Sequence, residues 1–159
     1  MTRLPPSPSL QWDGSVPRAE SFADFYFSKA GGLAESEAVF LAGCGLPDAW
    51  KGRRAFTIVE LGFGTGLNAL ATWRLWSATR SPKSVLHFCS IEASPLAAED
   101  AARALSAYPE IAPFAQRLLR AWPARARVLQ YVEEADRRLR EAILQADIDR
   151  PGDPLLDRA

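Results

Sequence analysis

The sequence is poor in the side chains that most often bind metals or form disulfides. Its 159 residues include two cysteines, Cys44 and Cys89, and one histidine, His87. None of these has a partner at the spacing that zinc motifs use, so no metal site is expected. Cys89 lies in an apolar run and is expected to be a buried free thiol, as in proteins of a reducing cytosol.

Long apolar stretches and an excess of one charge are also absent. No segment approaches the roughly 20 apolar residues of a membrane-spanning helix, and the Pro- and Ser-rich residues 1–11 lack the apolar segment of a secretory signal. The 19 Lys and Arg residues balance the 19 Asp and Glu residues. This balance excludes a strongly basic field over the whole protein, although a local basic patch is compatible with it. We expect a cytoplasmic protein without membrane contact.

Hydrophobic residues make up 48% of the chain, which is enough for the core of one domain. Prolines at positions 5, 6, 8 and 17 disfavour a helix near the start, so residues 1–20 are expected to form an irregular, extended arm. Apolar patterns further on predict strands over 56–61 and 85–92, and helices over 35–42, 67–78, 96–107 and 110–121. This alternation is typical of a doubly wound α/β fold with strands buried on both faces.

The two ends of the chain differ from this middle part. Residues 19–30 contain four aromatic side chains (Phe22, Phe25, Tyr26 and Phe27), which are expected to pack on the core or line a site. Near the other end we predict a weak strand over 128–132, an amphipathic helix over 131–146 and a polar tail over 147–159. The predicted organisation is an arm and lead-in over 1–52, half of an α/β domain over 53–127, and a divergent helix and tail over 128–159.

The most informative segment joins the first strand to the helix after it. Glu60 ends the strand, and glycines follow at positions 62, 64 and 66. Glycines allow a sharp turn and a close approach of a ligand, and the start of the helix offers free amides. A dinucleotide-binding loop spaces its glycines as G-x-G-x-x-G, and Glu60 would lie badly beside a pyrophosphate. The simpler alternative is a tight strand-to-helix turn without a ligand.

An acidic residue before G-x-G-x-G resembles motif I of S-adenosylmethionine-dependent methyltransferases. The resemblance implies that the glycines face the methionine part of the cofactor and that Glu60 holds its amino group. In such enzymes the next strand ends in an acid that binds the ribose hydroxyls, and Glu92 is placed for this role. The implied cofactor-binding residues are Glu60, Gly62, Phe63, Gly64, Thr65, Gly66, Asn68 and Glu92.

Further segments resemble one particular methyltransferase family, which acts on the wobble uridine of tRNA. They are residues 24–28, 32–35, 39–43, 46–47, 56–68 and 90–96, so that the resemblance covers about residues 12–127. It implies a partial Rossmann-like fold and methyl transfer from S-adenosylmethionine to the amine of 5-aminomethyl-2-thiouridine. It also implies tRNA as a partner, a fused or separate FAD-dependent oxidoreductase, and a substrate-side position for Tyr26 and Phe27.

The sequence departs from this family after about Arg127. The family has an acidic-Gly-Phe segment whose aspartate is thought to take the proton from the amine, and no Asp-Gly-Phe occurs here. No catalytic base is assigned. We therefore expect a truncated, inactive version that could self-associate through an incomplete sheet. A non-catalytic nucleotide-binding module, a fragment of a dinucleotide-dependent oxidoreductase and a non-functional remnant remain as alternatives.

A basic cluster lies around Trp122. It contains Arg117, Arg120, Arg125 and Arg127. Such a cluster could contact tRNA phosphates, or it could be the solvated face of a helix.

Overall fold

A computed structural model of the protein describes residues 7–122, and it shows an α/β arrangement. Three short strands come first, followed by a helical lead-in, a strand–helix–strand unit and two further helices. The elements are β1 (Leu10–Asp13), β2 (Val16–Ala19), β3 (Asp24–Phe25), α1 (Gly32–Glu35) with a π-helical continuation (Ser36–Leu41), a 3₁₀ turn (Asp48–Trp50), β4 (Ala55–Leu61), α2 (Leu67–Thr79), β5 (Val85–Ile91), α3 (Ala98–Leu105), a second 3₁₀ turn (Pro109–Ile111) and α4 (Ala112–Arg120).

The strands β4 and β5 form the parallel pair that the sequence predicts. They are paired from Ala55 opposite Val85 to Leu61 opposite Ile91, and α2 connects them. Their bounds, and those of α2, agree with the predicted ones within one residue. Because both strands run in the same direction, the residues that follow Leu61 and Ile91 meet at one edge of the sheet.

The irregular arm predicted over residues 1–20 is wrong for residues 10–19. These residues form a hairpin of two strands, which belongs to an antiparallel sheet in the order β1-β2-β3. Gly14 begins the two-residue loop between β1 and β2 and has a φ of 61°, as hairpin loops of this length often require. Pro17 lacks an N–H, but its carbonyl still accepts the N–H of Tyr26 at 3.0 Å. Proline therefore costs this small sheet only one donor.

Contacts with α3 hold the hairpin in place. The guanidinium of Arg103 lies 3.9 Å from the ring centroid of Trp12 and donates to the carbonyl of Gly14 at 3.3 Å. Arg103 and Gly14 are 89 residues apart in the sequence. Such a long-range contact explains why local composition does not reveal the hairpin.

The sequence predicts that β4 and β5 are buried on both faces, and this prediction is wrong for the described part of the chain. Within residues 7–122, Val59, Leu61, Val85 and Ile91 are 48%, 81%, 50% and 42% exposed. The alternate residues of β5, among them Phe88, are partly buried on the side of α2. Since successive side chains of a strand point to opposite faces, one face of the pair is turned towards the helices and partly buried, and the other is open in this part of the chain.

The lead-in segment and the helices share one core. Phe27, Leu33 and Leu41 pack in the same cluster as Leu70 of α2 and Ile111 before α4. Phe22, in contrast, is 70% exposed, so the aromatic cluster predicted around it does not pack as a unit. The predicted division of the chain at residues 52 and 127 stays a prediction.

Several predicted features lie outside the part of the chain that the structure describes. They are the strand over 128–132, the helix over 131–146 and the tail over 147–159. Between residues 7 and 122, no helix is long and apolar enough to cross a membrane. The same range contains no group of three or more His, Cys, Asp or Glu side chains that could hold a metal ion. Cys44 is exposed, and Cys89 is a partly buried free thiol.

Candidate functional site

The glycine loop turns the chain from β4 into α2. Gly62, Gly64 and Gly66 have φ angles of 88°, 53° and 79°, in the left-handed region that favours glycine. The N–H of Gly62 donates to the carbonyl of Ile91 at 2.7 Å, and the N–H of Gly66 donates to the carbonyl of Phe63 at 2.8 Å. A Cβ added at Gly62 would meet no atom within 4 Å. The loop therefore leaves open space beside its first glycine.

Glu60 links the three elements that meet at this loop. Its Oε1 accepts a hydrogen bond from Nδ2 of Asn68, in the first turn of α2, at 3.1 Å. Its Oε2 accepts a hydrogen bond from Oγ of Ser90, on β5, at 2.7 Å. Both carboxylate oxygens thus have a donor, and each keeps a further lone pair for a ligand.

The surroundings of Glu60 act on its ionisation in opposite directions. Burial raises the pKa of Glu60 most, and the negative charge of Glu92 also raises it. The hydrogen bonds from Ser90 and Asn68 lower the pKa, because they favour the charged form. The net pKa lies above the usual value for a glutamate. A positive group beside Glu60 would therefore stabilise a carboxylate that is partly withdrawn from water.

Glu92 fixes the other side of the loop. It follows β5, as the sequence predicts, and its Oε2 accepts the N–H of Gly64 at 2.9 Å. Its Oε1 accepts the N–H of Ser94 at 2.8 Å. The sequence places Glu92 at the correct edge of the sheet but does not reveal that it holds the backbone of the glycine loop.

Tyr26 and Phe27 differ in their relation to the site. A Cβ added at Gly64 would lie 3.1 Å from Cδ1 of Tyr26, so the Tyr26 ring covers this glycine. Burial raises the pKa of Tyr26, and the charges of Glu92 and Asp100 add to the rise. Phe27 is 8% exposed and belongs to the core. Both side chains border the same cavity, but Tyr26 is the one beside the loop.

Two cavities flank the loop. One, of about 620 Å³, is bordered by Tyr26, Glu60, Gly62 and Thr65 among others, and extends along β4. The other, of about 570 Å³, lies between β5, α2 and α4 and reaches Glu92. Phe63 and Gly64 border both cavities. No Lys or Arg is among the residues of the 7–122 range that line them, which makes the surroundings of the loop suited to a cationic rather than an anionic ligand.

Ser90 is the site residue that sequence reasoning gave no role. The signal for it is the two-residue period of a strand, because residues 90 and 92 lie on the same side of an extended chain. A hydroxyl two residues before a strand-ending acid could have been assigned to the same edge of the sheet.

The basic cluster around Trp122 is partly engaged in packing. The guanidinium of Arg117 lies 4.6 Å from the ring centroid of Trp73, and Nε of Arg120 donates to the carbonyl of Gln116 at 3.3 Å. Trp122 packs at a tilt against Phe63, with ring centroids 5.4 Å apart, and its Nε1 donates to the carbonyl of Leu96 at 3.1 Å. Arg125 and Arg127 lie outside the residues that the structure describes.

Comparison with known proteins gives relatives of one kind. No family model matches the chain. The protein from Maricaulis maris is 54% identical over 119 residues, which are 74% of this chain and 20% of the relative. The proteins from Caulobacter vibrioides and Thiobacillus denitrificans are 48% and 46% identical, over 84% and 72% of this chain and 22% and 18% of their own length. Each is named tRNA 5-methylaminomethyl-2-thiouridine biosynthesis bifunctional protein MnmC.

One similar solved structure is the crystal structure of MNMC2 from Aquifex aeolicus. It is 27% identical, covers 68% of this chain and 34% of its own, and has a TM-score of 0.48. The chain spans about a fifth of the length of the curated relatives it matches. The identities of 46–54% over most of the chain confirm the resemblance predicted from the sequence: this protein is a relative of the MnmC family of tRNA wobble-uridine modification proteins.

Proposed function

We propose that this chain forms the S-adenosylmethionine-binding part of a tRNA methyltransferase with a Rossmann-like fold. The observation that carries the proposal is a glycine loop with a carboxylate on either side of it. Glu92 accepts a hydrogen bond from the loop, Glu60 precedes the loop and bonds the start of α2, and no basic side chain is among the described residues that line the adjoining cavities. S-adenosylmethionine has a positive sulfonium and a positive ammonium group. A dinucleotide has a negative pyrophosphate, which two nearby carboxylates would repel.

The residues present fit this cofactor in the type of their polar groups. Glu60 would accept hydrogen bonds from the ammonium group, and Glu92 would accept them from the ribose hydroxyls, since each carboxylate oxygen retains a free lone pair. The open space beside Gly62 would admit the cofactor to the main chain. Phe63, Thr65, Gly66 and Asn68 would shape the loop around it. When bound, the cofactor would supply the methyl group.

The proposed acceptor is the primary amine of 5-aminomethyl-2-thiouridine in tRNA. It follows from the names of the relatives, which refer to the biosynthesis of the methylated product of that amine. The amine must be uncharged to attack, so orientation and loss of its proton determine much of the rate. We assign no residue as the base. The family resemblance adds a fused or separate FAD-dependent oxidoreductase as a proposed partner, and the word bifunctional in the relatives' names fits a second activity.

The cofactor is tested by calorimetry on the purified chain. We expect heat of binding with S-adenosylmethionine and with S-adenosylhomocysteine, and none with NADH. Glu92→Gln should weaken binding because the amide is a poorer acceptor for the ribose hydroxyls, whereas Glu20→Gln, at an exposed position, serves as the control. Binding of NADH without binding of S-adenosylmethionine would support the oxidoreductase alternative and overturn the proposal.

The acceptor is tested by methyl transfer in a full-length relative that contains this segment. Labelled S-adenosylmethionine is incubated with tRNA that carries 5-aminomethyl-2-thiouridine and, separately, with fully matured tRNA. Label should appear only on the wobble uridine of the first. Label on a protein or a small molecule, with none on tRNA, would overturn the assignment of the acceptor.

A further inference from the structure

The hydroxyl of Ser90 makes a short hydrogen bond to a carboxylate of the candidate site. Ser90 and Glu60 are direct register partners in the β4–β5 pair, and Ser90 Oγ donates to Glu60 Oε2 at 2.7 Å. Both residues are partly buried. A hydrogen bond to a charged group in such surroundings is stronger than one in water. The position of the carboxylate therefore depends in part on a side chain of the neighbouring strand.

The second oxygen of Glu60 has a more distant donor. Nδ2 of Asn68 lies 3.1 Å from Oε1. With both donors present, the carboxylate is held between β5 and α2. Without the Ser90 hydroxyl, one oxygen would lose its only donor among residues 7–122, and the charged form would lose part of what offsets its burial.

The titratable groups around Glu60 in the described residues include no positive charge that could replace the hydrogen bond from Ser90. Tyr26, Glu35 and Cys44 line the same cavity, and Glu92 lies across the glycine loop. Of these, Glu92 acts on Glu60, and its negative charge opposes ionisation. The hydroxyl of Ser90 and the amide of Asn68 are therefore what favours the charged form of Glu60 in the described part of the chain.

We propose that Ser90 is a positioning residue, whose hydroxyl keeps the Glu60 carboxylate ionised and oriented to receive the ammonium group of the cofactor. This proposal rests on the proposed function, since it gives Ser90 a role in recognising that ligand. Ser90 would act on the ammonium group through Glu60.

The binding test measures the affinity for S-adenosylhomocysteine, which keeps the ammonium group, as a function of pH. In Ser90→Ala the pKa of Glu60 should rise, so binding should be weaker by up to roughly tenfold at the low end of the pH range and should approach the wild-type affinity as the pH increases through the titration of Glu60. Ser90→Thr keeps a hydroxyl and should restore most of the affinity. Ser84→Ala removes a buried hydroxyl that donates to the carbonyl of Ser81 at 2.6 Å, before the start of β5, and should change nothing.

A loss of packing would give a different pattern from a loss of ionisation. It would weaken binding by the same factor at every pH, and Ser90→Thr would not repair it. Either observation would overturn the role of Ser90 as a positioning residue.

A second measurement does not depend on the ligand. Carbon-13 NMR of the glutamate carboxyl groups follows the titration of Glu60 in the ligand-free protein. The midpoint should lie higher in Ser90→Ala than in the wild type and should be unchanged in Ser84→Ala; equal midpoints would overturn the proposal. If the wild type binds no S-adenosylhomocysteine, the proposed function fails, and the NMR midpoints still decide whether Ser90 controls Glu60.

Discussion

At the scale of single residues, the two carboxylates and the glycine loop depend on one another. Glu92 accepts the N–H of Gly64, and Glu60 joins the start of α2 to β5. Their negative charges repel, and this repulsion raises the pKa of Glu60 in addition to the larger effect of burial. A cationic ligand between them would reduce both costs. The site is therefore unfavourable for stability when empty and is suited to one sign of ligand charge.

Gly64 is a loop position where an added side chain would crowd the ring of Tyr26. Its φ is 53°, and an added Cβ would lie 3.1 Å from the Tyr26 ring. Gly64→Val should abolish measurable binding of S-adenosylmethionine in calorimetry. Gly52→Val is the matched control, because Gly52 has a φ of 74° but no atom within 4 Å of an added Cβ. Equal affinity in the two variants would show that the loop does not approach the cofactor.

Glu60 should make stability depend on pH in a defined direction. Its pKa is raised in the folded protein, chiefly by burial, so the folded chain binds this proton more tightly than the unfolded chain. The resulting stabilisation is present at low pH and is lost as the pH rises through the folded pKa. Glu60→Gln should therefore raise the unfolding temperature at about pH 7–8, and this advantage should shrink at lower pH.

Thermal unfolding followed by circular dichroism across this pH range checks the prediction for Glu60. The same variant should lose affinity for S-adenosylmethionine. Glu20→Gln, at an exposed position, should leave the pH dependence as in the wild type. A lower unfolding temperature for Glu60→Gln at neutral pH would mean that the carboxylate stabilises the fold, contrary to the expected sign.

At the scale of elements, local patterns in the sequence explain some parts of the fold and not others. The β4–loop–α2–β5 unit is predictable because apolar runs end at glycines and an acid, and the edge that they form contains Glu60 and Glu92. The hairpin of β1 and β2 is not predictable from local patterns, because Arg103 on a distant helix supports it. The hydrogen bond from Ser90 to Glu60 also depends on strand register, which a single sequence does not specify.

Trp50 joins the lead-in segment to the strand–helix–strand unit. It is 2% exposed, packs edge-on against Phe56 of β4 and Trp76 of α2 at centroid distances of 5.8 and 5.1 Å, and donates Nε1 to Oγ1 of Thr79 at 3.1 Å. Trp50→Ala removes this packing and the hydrogen bond. The free energy of unfolding should fall by about 3–5 kcal/mol.

Denaturant unfolding measures the effect of Trp50→Ala. Phe22→Ala is the control, since Phe22 is 70% exposed, and it should change the free energy of unfolding by less than about 0.5 kcal/mol. A similar loss in both variants would mean that Phe22 is covered in solution and that the exposure of the two aromatic residues does not decide their contribution.

At the scale of the whole molecule, the open face of the parallel sheet is the main apolar surface that the described residues leave exposed. Leu61 and Ile91 are register partners and are 81% and 42% exposed, with Val59 and Val85 on the same face. Val59, Leu61 and Ile91 form a patch at one end of this face, and Val85 lies at the other end, opposite Ala55. Such patches commonly mark contacts with another protein surface.

We predict that this face mediates self-association of the purified chain. Burying an aliphatic side chain of this size contributes about 1.5–3 kcal/mol, so Leu61 and Ile91 together would account for much of a weak interface. The double variant Leu61→Lys/Ile91→Lys should be monomeric in sedimentation velocity at concentrations where the wild type forms dimers or larger species. Phe22→Lys adds the same charge on an exposed aromatic position and should still associate. A monomeric wild type, or association that only Phe22→Lys prevents, would show that the open sheet face is not the interface.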